Sequence, residues 1–279
     1  MPSPYSASSE TLDLAERVFI ELANKDRLRM LLFLKNNPAR NTDLAREFGQ
    51  NRAEITRNID RLLDVGMVKK DIEGTFSITQ IGFAIAEQIP FFLFISKNRD
   101  YFLGHTFGDL PKKFLQRLGE LEKCTVINGW SRVYENFINL ISNSEQFIYA
   151  ALSEITSEAY PMVFKAIYER NIKLKYIMPY DVNIPSDWAS KVKQYHYYDL
   201  ISKKVIERKI IQKLPLDILM SERQALIMFK GKKDEMDMGK AFLSNDKAFY
   251  DWCVDYFRYL WNTSEEFDGS KMKFNWQFA

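Results

Sequence analysis

Arg52, Ala53, Thr56, Arg57 and Arg61 fall on or near one side of a helix if Ile55, Ile59, Leu62 and Leu63 fill the other, since side chains three and four apart share a helical face. The outward set suits recognition rather than reaction. Arginine's planar fork fits the O6 and N7 acceptors of guanine, and threonine can meet a thymine methyl or a phosphate. Asn51 stands just before this segment with Glu54 three residues on, the pattern of an N-cap with its capping-box partner. Lys69 and Lys70 follow on a short extended run, where they would grip phosphates and so position a duplex rather than specify its sequence. Asp60, Asp64, Asp71 and Glu73 lie among them, and residues 1–95 carry 12 Lys and Arg against 13 Asp and Glu. Contact with DNA must therefore come from a local patch, and a solvated charged face is the competing reading.

The flanking periodicity supplies a support for that helix. Ala15, Val18, Phe19 and Leu22 are spaced as the inner stripe of a helix over 12–22, and Leu28, Leu31 and Leu32 repeat the spacing. Asn36-Asn37-Pro38 bars continuation. Thr42–Phe48 predicts a short helix ended by Gly49, and Gly66 closes the helix that follows Asn51. Met67–Asp71 and Thr75–Thr79, around Glu73-Gly74, predict a hairpin. Three helices and a hairpin wing are the order of a winged helix-turn-helix, whose helix after the turn enters the major groove of duplex DNA. A winged helix that binds only protein is the alternative.

Beyond this point the pattern changes. Gln80–Glu87 reads as helical and leads into the apolar run Ile89–Ile95. Lys112–Glu122 predicts a helix with Phe114, Leu118 and Leu121 inward, and Trp130, Val133, Phe137 and Ile141 stripe another. Strands are predicted at Gln146–Leu152, Ile172–Met178, Gln194–Tyr198, Val205–Lys213, Leu216–Met220 and Ala225–Lys230, with a helix at Glu158–Arg170. Phe249, Trp252, Cys253, Tyr256, Phe257 and Leu260 stripe a terminal helix. Such an order argues for a sheet with helices packed on it. The expected fold class is α/β (α+β overall): a winged helix-turn-helix domain at 10–95, an αβ effector-sensing and dimerisation domain at 100–264, and a tail at 265–279.

The run NRAEITRNIDRLLDVGMVKKDIEGTFSIT resembles the turn, recognition helix and wing of bacterial and archaeal winged-helix regulators. DLPKKFLQRLGELEKCTVINGW and the αβ layout after it resemble archaeal regulators of the methanogenesis-regulatory-protein type, related to the sugar-sensing TrmB-like group. The resemblance implies a C-terminal domain that senses a ligand or partner through a phospholipase-D-like sheet, without catalysis. Phospholipase-D chemistry needs a His-x-Lys pair and a downstream Asp. Here His196 is followed by Tyr197-Tyr198, and His105 by Thr106-Phe107. The sequence has no GxSxG, no GxGxxG and no P-loop. No catalytic residue, cofactor or metal is expected, and a phosphodiester-processing enzyme is the weaker alternative to a regulator.

A ligand pocket is expected outside the carboxyl ends of the strands, at Ser153-Glu154, Pro179-Tyr180-Asp181 and Tyr198-Asp199, with Trp130 and Tyr149 as apolar walls. The candidate ligand-binding residues are thus Trp130, Tyr149, Glu154, Tyr180 and Asp181. Apolar residues make up 46% and charged residues 27% of 279, an ordinary globular balance with room for two domains. Cys124 and Cys253 stand far apart with no CxxC, which reads as reduced buried thiols in the cytoplasm. The opening MPSPYSASSE has neither a basic region nor an apolar run, so no signal peptide is expected. Ile89–Ile95 falls short of the roughly 20 residues of a membrane span and contains Pro90, so a soluble protein is expected. The expected partners are double-stranded DNA, a small-molecule effector and a second copy of the chain. Tyr259 and Trp261, pointing away from the buried stripe, would mark the homodimer surface.

Overall fold

A computed structural model describes residues 8–233 and 235–273, which form two compact units dividing after Ile89. In the first, the Ser8 hydroxyl caps α1 (Ser9–Leu22) and Asn24 caps α2 (Lys25–Leu34). Strand β1 (Ala39–Arg40) leads into α3 (Asn41–Phe48), which Gly49 ends at a φ of +63°, a conformation that costs glycine nothing. Helix α4 (Arg52–Asp64) begins with the capping box foreseen at Asn51 and Glu54. Strands β2 (Val68–Lys70) and β3 (Thr75–Ile78) pair antiparallel as the wing, and β1 joins the far side of β3. Helix α5 (Gln80–Ala86) is capped by Thr79. Met30, Leu31, Leu44, Ile55, Ile59, Leu62, Met67 and Phe76 form the core. The unit is a winged helix-turn-helix.

The second unit opens with α6 (Ile89–Lys97), α7 (Arg99–Gly104) and β4 (His105–Thr106). The helix expected over Lys112–Glu122 is broken into α8 (Lys112–Leu115) and a single 3₁₀ turn, Leu118–Leu121. Its inward residues Phe114, Leu118 and Leu121 are buried as foreseen. The break occurs where Gly119 lies against the backbone of Pro90 and Phe91, which a Cβ would meet at 2.7 Å. There follow β5 (Thr125–Asn128), α9 (Trp130–Ser142), β6 (Phe147–Ala151), α10 (Ala159–Arg170) and β7 (Lys173–Pro179).

Gln194–Tyr198, expected as a strand, is instead a junction between α11 (Trp188–Gln194) and α12 (Tyr197–Ser202). His196 takes a φ of +48° to turn the chain. The aromatic run that imitates a strand owes its burial to one residue, Tyr197, whose hydroxyl meets those of Tyr176 and the Arg208 guanidinium. The remaining elements are β8 (Ile206–Ile211), β9 (Leu216–Ser221), β10 (Ala225–Gly231), β11 (Lys240–Ser244), α13 (Lys247–Thr263) and β12 (Glu265–Glu266).

The sheet order is β12-β8-β7-β6-β9-β10-β11-β5, with β4 added to β10. Strands β6, β7 and β8 run parallel, and the other pairings are antiparallel. Alternate side chains pack against α9–α12 on one face and α6–α8 with α13 on the other, as the period of two requires. Residues 265–273, expected to begin a tail, instead add β12 to β8 and bury Met272; 274–279 lie outside the described residues. Tyr259 and Trp261 are half-buried, not wet. Tyr259 packs on Phe114, with the Lys113 ammonium 4.3 Å over its ring, and Trp261 lies against Phe257 beneath Lys175 and Lys209. No helix among the described residues is long and apolar enough to cross a membrane.

One carboxylate anchors the start of β6. Glu222 accepts the backbone N–H of Glu145 at 2.9 Å and of Gln146 at 3.2 Å. Burial alone would raise its carboxyl, but these backbone donors outweigh that and hold it below the ordinary range. Its stabilisation is therefore full above about pH 4.3 and lost as pH falls through the depressed folded value. Glu222→Ala should lose on the order of 1–2 kcal/mol at neutral pH. Urea melts should show that deficit shrinking in acid; a deficit independent of pH would contradict the assignment.

Candidate functional site

The outer face of α4 is positioned by its inner one. Ile55, Ile59 and Leu62 are fully buried, so Arg52, Ala53, Thr56 and Arg57 stand exposed on the opposite side. The Thr56 hydroxyl donates to the Arg52 carbonyl and accepts from Asn41 Nδ2 at 2.7 Å, which ties the first turn of α3 to α4. Sequence reasoning passed over Asn41, although a short polar side chain at a helix start is a usable signal. The guanidinium groups of Arg52 and Arg57 make no ion pair or side-chain hydrogen bond among the described residues. Asn51 is exposed, and its Oδ1 accepts the Glu54 N–H as the cap of α4.

Arg61 stands apart from this set. Its guanidinium reaches back to the buried Glu21 of α1 at 2.5 Å, where Arg27 also binds. It braces the helices. Lys69 and Lys70 are exposed on β2, the latter over the Phe76 ring. The acidic wing is partly spoken for: Asp71 accepts the N–H of Glu73 and of Thr75 within the turn, and Glu73 lies 3.9 Å from Arg40. This softens the repulsion of phosphate that the acidic residues imply.

At the C-terminal edge of the sheet lies a second feature, a cavity of about 710 Å³. Glu154 follows β6, and Tyr180 and Asp181 follow β7; all three line it. The chain there is braced by a parallel bridge between Glu154 and Asn183 and by Tyr180, whose hydroxyl donates to Glu265 at 2.5 Å. The other two residues expected there are elsewhere. Tyr149 points to the opposite face from Ile148 and Ala150 and stacks on Phe257 at 5.0 Å. Trp130 follows β5, four strands along the edge from β6, roughly 19 Å at the usual interstrand spacing, and stacks on Tyr134. Tyr198 and Asp199, placed at a strand end by the sequence, belong to α12.

The floor of the cavity holds what sequence reasoning missed. Lys230, at the end of β10, lines it with a side chain only 3% exposed. Its ammonium bonds to Asp217 Oδ2 on β9, which is fully buried, and to Ser153 Oγ. Asp217 Oδ1 also accepts the Ser153 N–H at 2.6 Å. Burial pushes the Asp217 carboxyl up, against the pull of Lys230 and Ser153. Glu154 also borders a smaller apolar cavity of about 90 Å³ between the sheet and α9–α12. No group of three or more His, Cys, Asp or Glu among the described residues is arranged to hold a metal ion.

No family model matches the chain, and no curated protein matches it in sequence. Among solved structures it is similar to TrmBL2, an archaeal chromatin protein, at 12% identity over 83% of this chain and 89% of that one, with a TM-score of 0.41. It is similar to the homodimeric winged helix-turn-helix DNA-binding domain of Mb0332 from Mycobacterium bovis, at 26% identity over 30% of this chain and 82% of that one, with a TM-score of 0.27. It is also similar to Nuc, a phospholipase D family member from Salmonella typhimurium, at 12% identity over 52% of this chain and 99% of that one, with a TM-score of 0.36.

Proposed function

We propose that the protein is a transcriptional regulator that reads duplex DNA with α4 and answers to a small ligand held at the edge of the C-terminal sheet. The observation that carries the DNA half is the outer face of α4. Arg52, Ala53, Thr56 and Arg57 project from a capped helix whose opposite side is locked in the core, the placement a winged helix-turn-helix uses for the major groove. The test is anisotropy of labelled genomic fragments across a salt series. Binding should weaken by about 0.9 of a log unit per log of salt for each phosphate contacted. A chain that shifts no duplex at low salt is a protein-binding adaptor instead.

The ligand half rests on a polar cavity of about 710 Å³ at the carboxyl ends of parallel strands, the usual place for a ligand in such sheets and within the usual range of pocket sizes, about 300–1,000 Å³. Two copies are expected to act together, because operators read by this fold present paired half-sites. With Tyr259 and Trp261 packed inside their own unit, the surface moves to the winged helix. Leu12, Phe19 and Ile20 of α1, and Ile81 and Phe83 of α5, are exposed apolar side chains on elements that a second copy would cover. Light scattering at micromolar concentration should give a dimer mass, and Phe19→Glu with Leu12→Glu should return it to monomer. A wild-type monomer would sink the claim.

A further inference from the structure

The cavity at the sheet edge has a chemistry more specific than polarity. Lys230 and Asp217 sit in strands whose other residues are buried and apolar, Leu216-Asp217-Ile218-Leu219-Met220 and Ala225–Lys230, so their side chains have little freedom. Asp217 holds both the Lys230 ammonium and the Ser153 backbone N–H. An ammonium has three N–H donors, of which Asp217 Oδ2 and Ser153 Oγ take two. Ser153 Oγ accepts from Lys230 and its hydroxyl bonds Asp217 in turn, so it is spent within the cluster. The floor of the cavity therefore presents one fixed, charged donor, the remaining N–H of Lys230, and its complement is an anionic oxygen.

The walls have the opposite bias. Among the described lining residues, Asp109, Glu154, Asp181 and Glu235 face Lys213, Lys230 and Lys273, and the Lys273 ammonium is 3.4 Å from Asp181. With Lys230 already balanced by Asp217 underneath, carboxylates outnumber ammonium groups around the space. A simple anion such as phosphate would find its donor on the floor but meet repulsion from the walls. A simple cation would be welcomed by Glu154 and Glu235 but would leave the remaining Lys230 N–H facing it unpaired, at the cost of a buried polar group without a partner. A ligand carrying both charges satisfies both ends.

We propose that this cavity binds a small zwitterion, with its carboxylate on Lys230 and its ammonium toward the acidic wall at Glu154, and that the ligand belongs to the α-amino acid class. The proposal deepens the reading of the protein as a ligand-controlled regulator and rests on it for its biological sense, but the binding chemistry is tested without DNA. The full chain is titrated calorimetrically and by thermal unfolding with each standard α-amino acid, and with acetate, inorganic phosphate and putrescine as single-charge comparators. At least one amino acid should bind and raise the melting temperature. Its N-acetyl and carboxamide derivatives should each bind at least about tenfold more weakly, the loss of one charge-assisted contact. Glu154→Gln, at an exposed position, should weaken it similarly while leaving the fold unchanged.

The proposal is overturned if no amino acid binds, if acetate, phosphate or putrescine binds as tightly as any amino acid, or if Glu154→Gln binds like wild type. The same amino acid is then added to the duplex titration. Unchanged DNA affinity, with the cavity occupied, keeps the zwitterion site and removes the regulatory reading. DNA binding without any amino-acid binding keeps the DNA-reading half and removes the zwitterion site.

Discussion

Lys230→Met is expected to cost about 3–5 kcal/mol of folding stability, because it leaves the Asp217 carboxylate buried without its cation. Asp217 is fully buried and its strand neighbours are apolar. The deficit should depend on pH in a definite direction. Burial already pushes the Asp217 carboxyl upward in the wild type, and removing Lys230 takes away the main opposing pull. A carboxyl whose folded value is raised destabilises the fold progressively as pH climbs through that value, and the penalty fades in acid, where it is protonated. Denaturant melts of Lys230→Met should therefore show a larger loss at pH 8 than at pH 5. The double variant Lys230→Met with Asp217→Leu should recover most of the stability, since an apolar pair of similar volume replaces the ion pair. Recovery in that variant together with a weaker single defect in acid identifies the pair as the cause; equal losses at both pH values would point to packing instead.

That pair was legible in outline. A lone Asp in LDILM and a lone Lys closing ALIMFK are charges inside apolar strand runs, and charges so placed must find each other or water. What the sequence could not say is that β9 and β10 are neighbours whose register puts Asp217 opposite Met228 and so near Lys230. Glu154, Tyr180 and Asp181 were found because strand ends follow from period-two runs that were clear at β6 and β7. Tyr149 was misplaced by one step of alternation, and Trp130 by strand order, neither of which a single sequence determines. The false strand at Gln194–Tyr198 arose because aromatic residues at 195, 197 and 198 mimic alternation. The competing signal, Trp188 and Val192 on one helical face, was overlooked. Strands β5 and β11 escaped because each is short and is defined by its pairing, β11 between β10 and β5 and β5 on β11 alone. In the first unit nearly every boundary was set by local chemistry, a cap at Asn51 or a glycine at 49 or 66, and that is why its elements were recovered and those of the sheet only in part.

The same contrast decides how the arginines of α4 should behave. Arg57→Ala is expected to lose about 1–3 kcal/mol of specific binding, roughly 5- to 150-fold, and to relax preference at one base position. Its guanidinium is exposed and makes no ion pair or side-chain hydrogen bond among the described residues, so its removal leaves the fold intact. Arg61 is the internal control. It bonds the buried Glu21, and Arg61→Ala should lower the melting temperature while leaving base preference unaltered, with Arg27 still holding the carboxylate. Lys70→Ala should weaken all duplexes alike and flatten the salt slope by about one unit. Anisotropy against a selected operator and a scrambled duplex separates the three behaviours. If Arg57→Ala binds the operator as tightly as wild type while its thermal melt is unchanged, α4 does not lie in the groove.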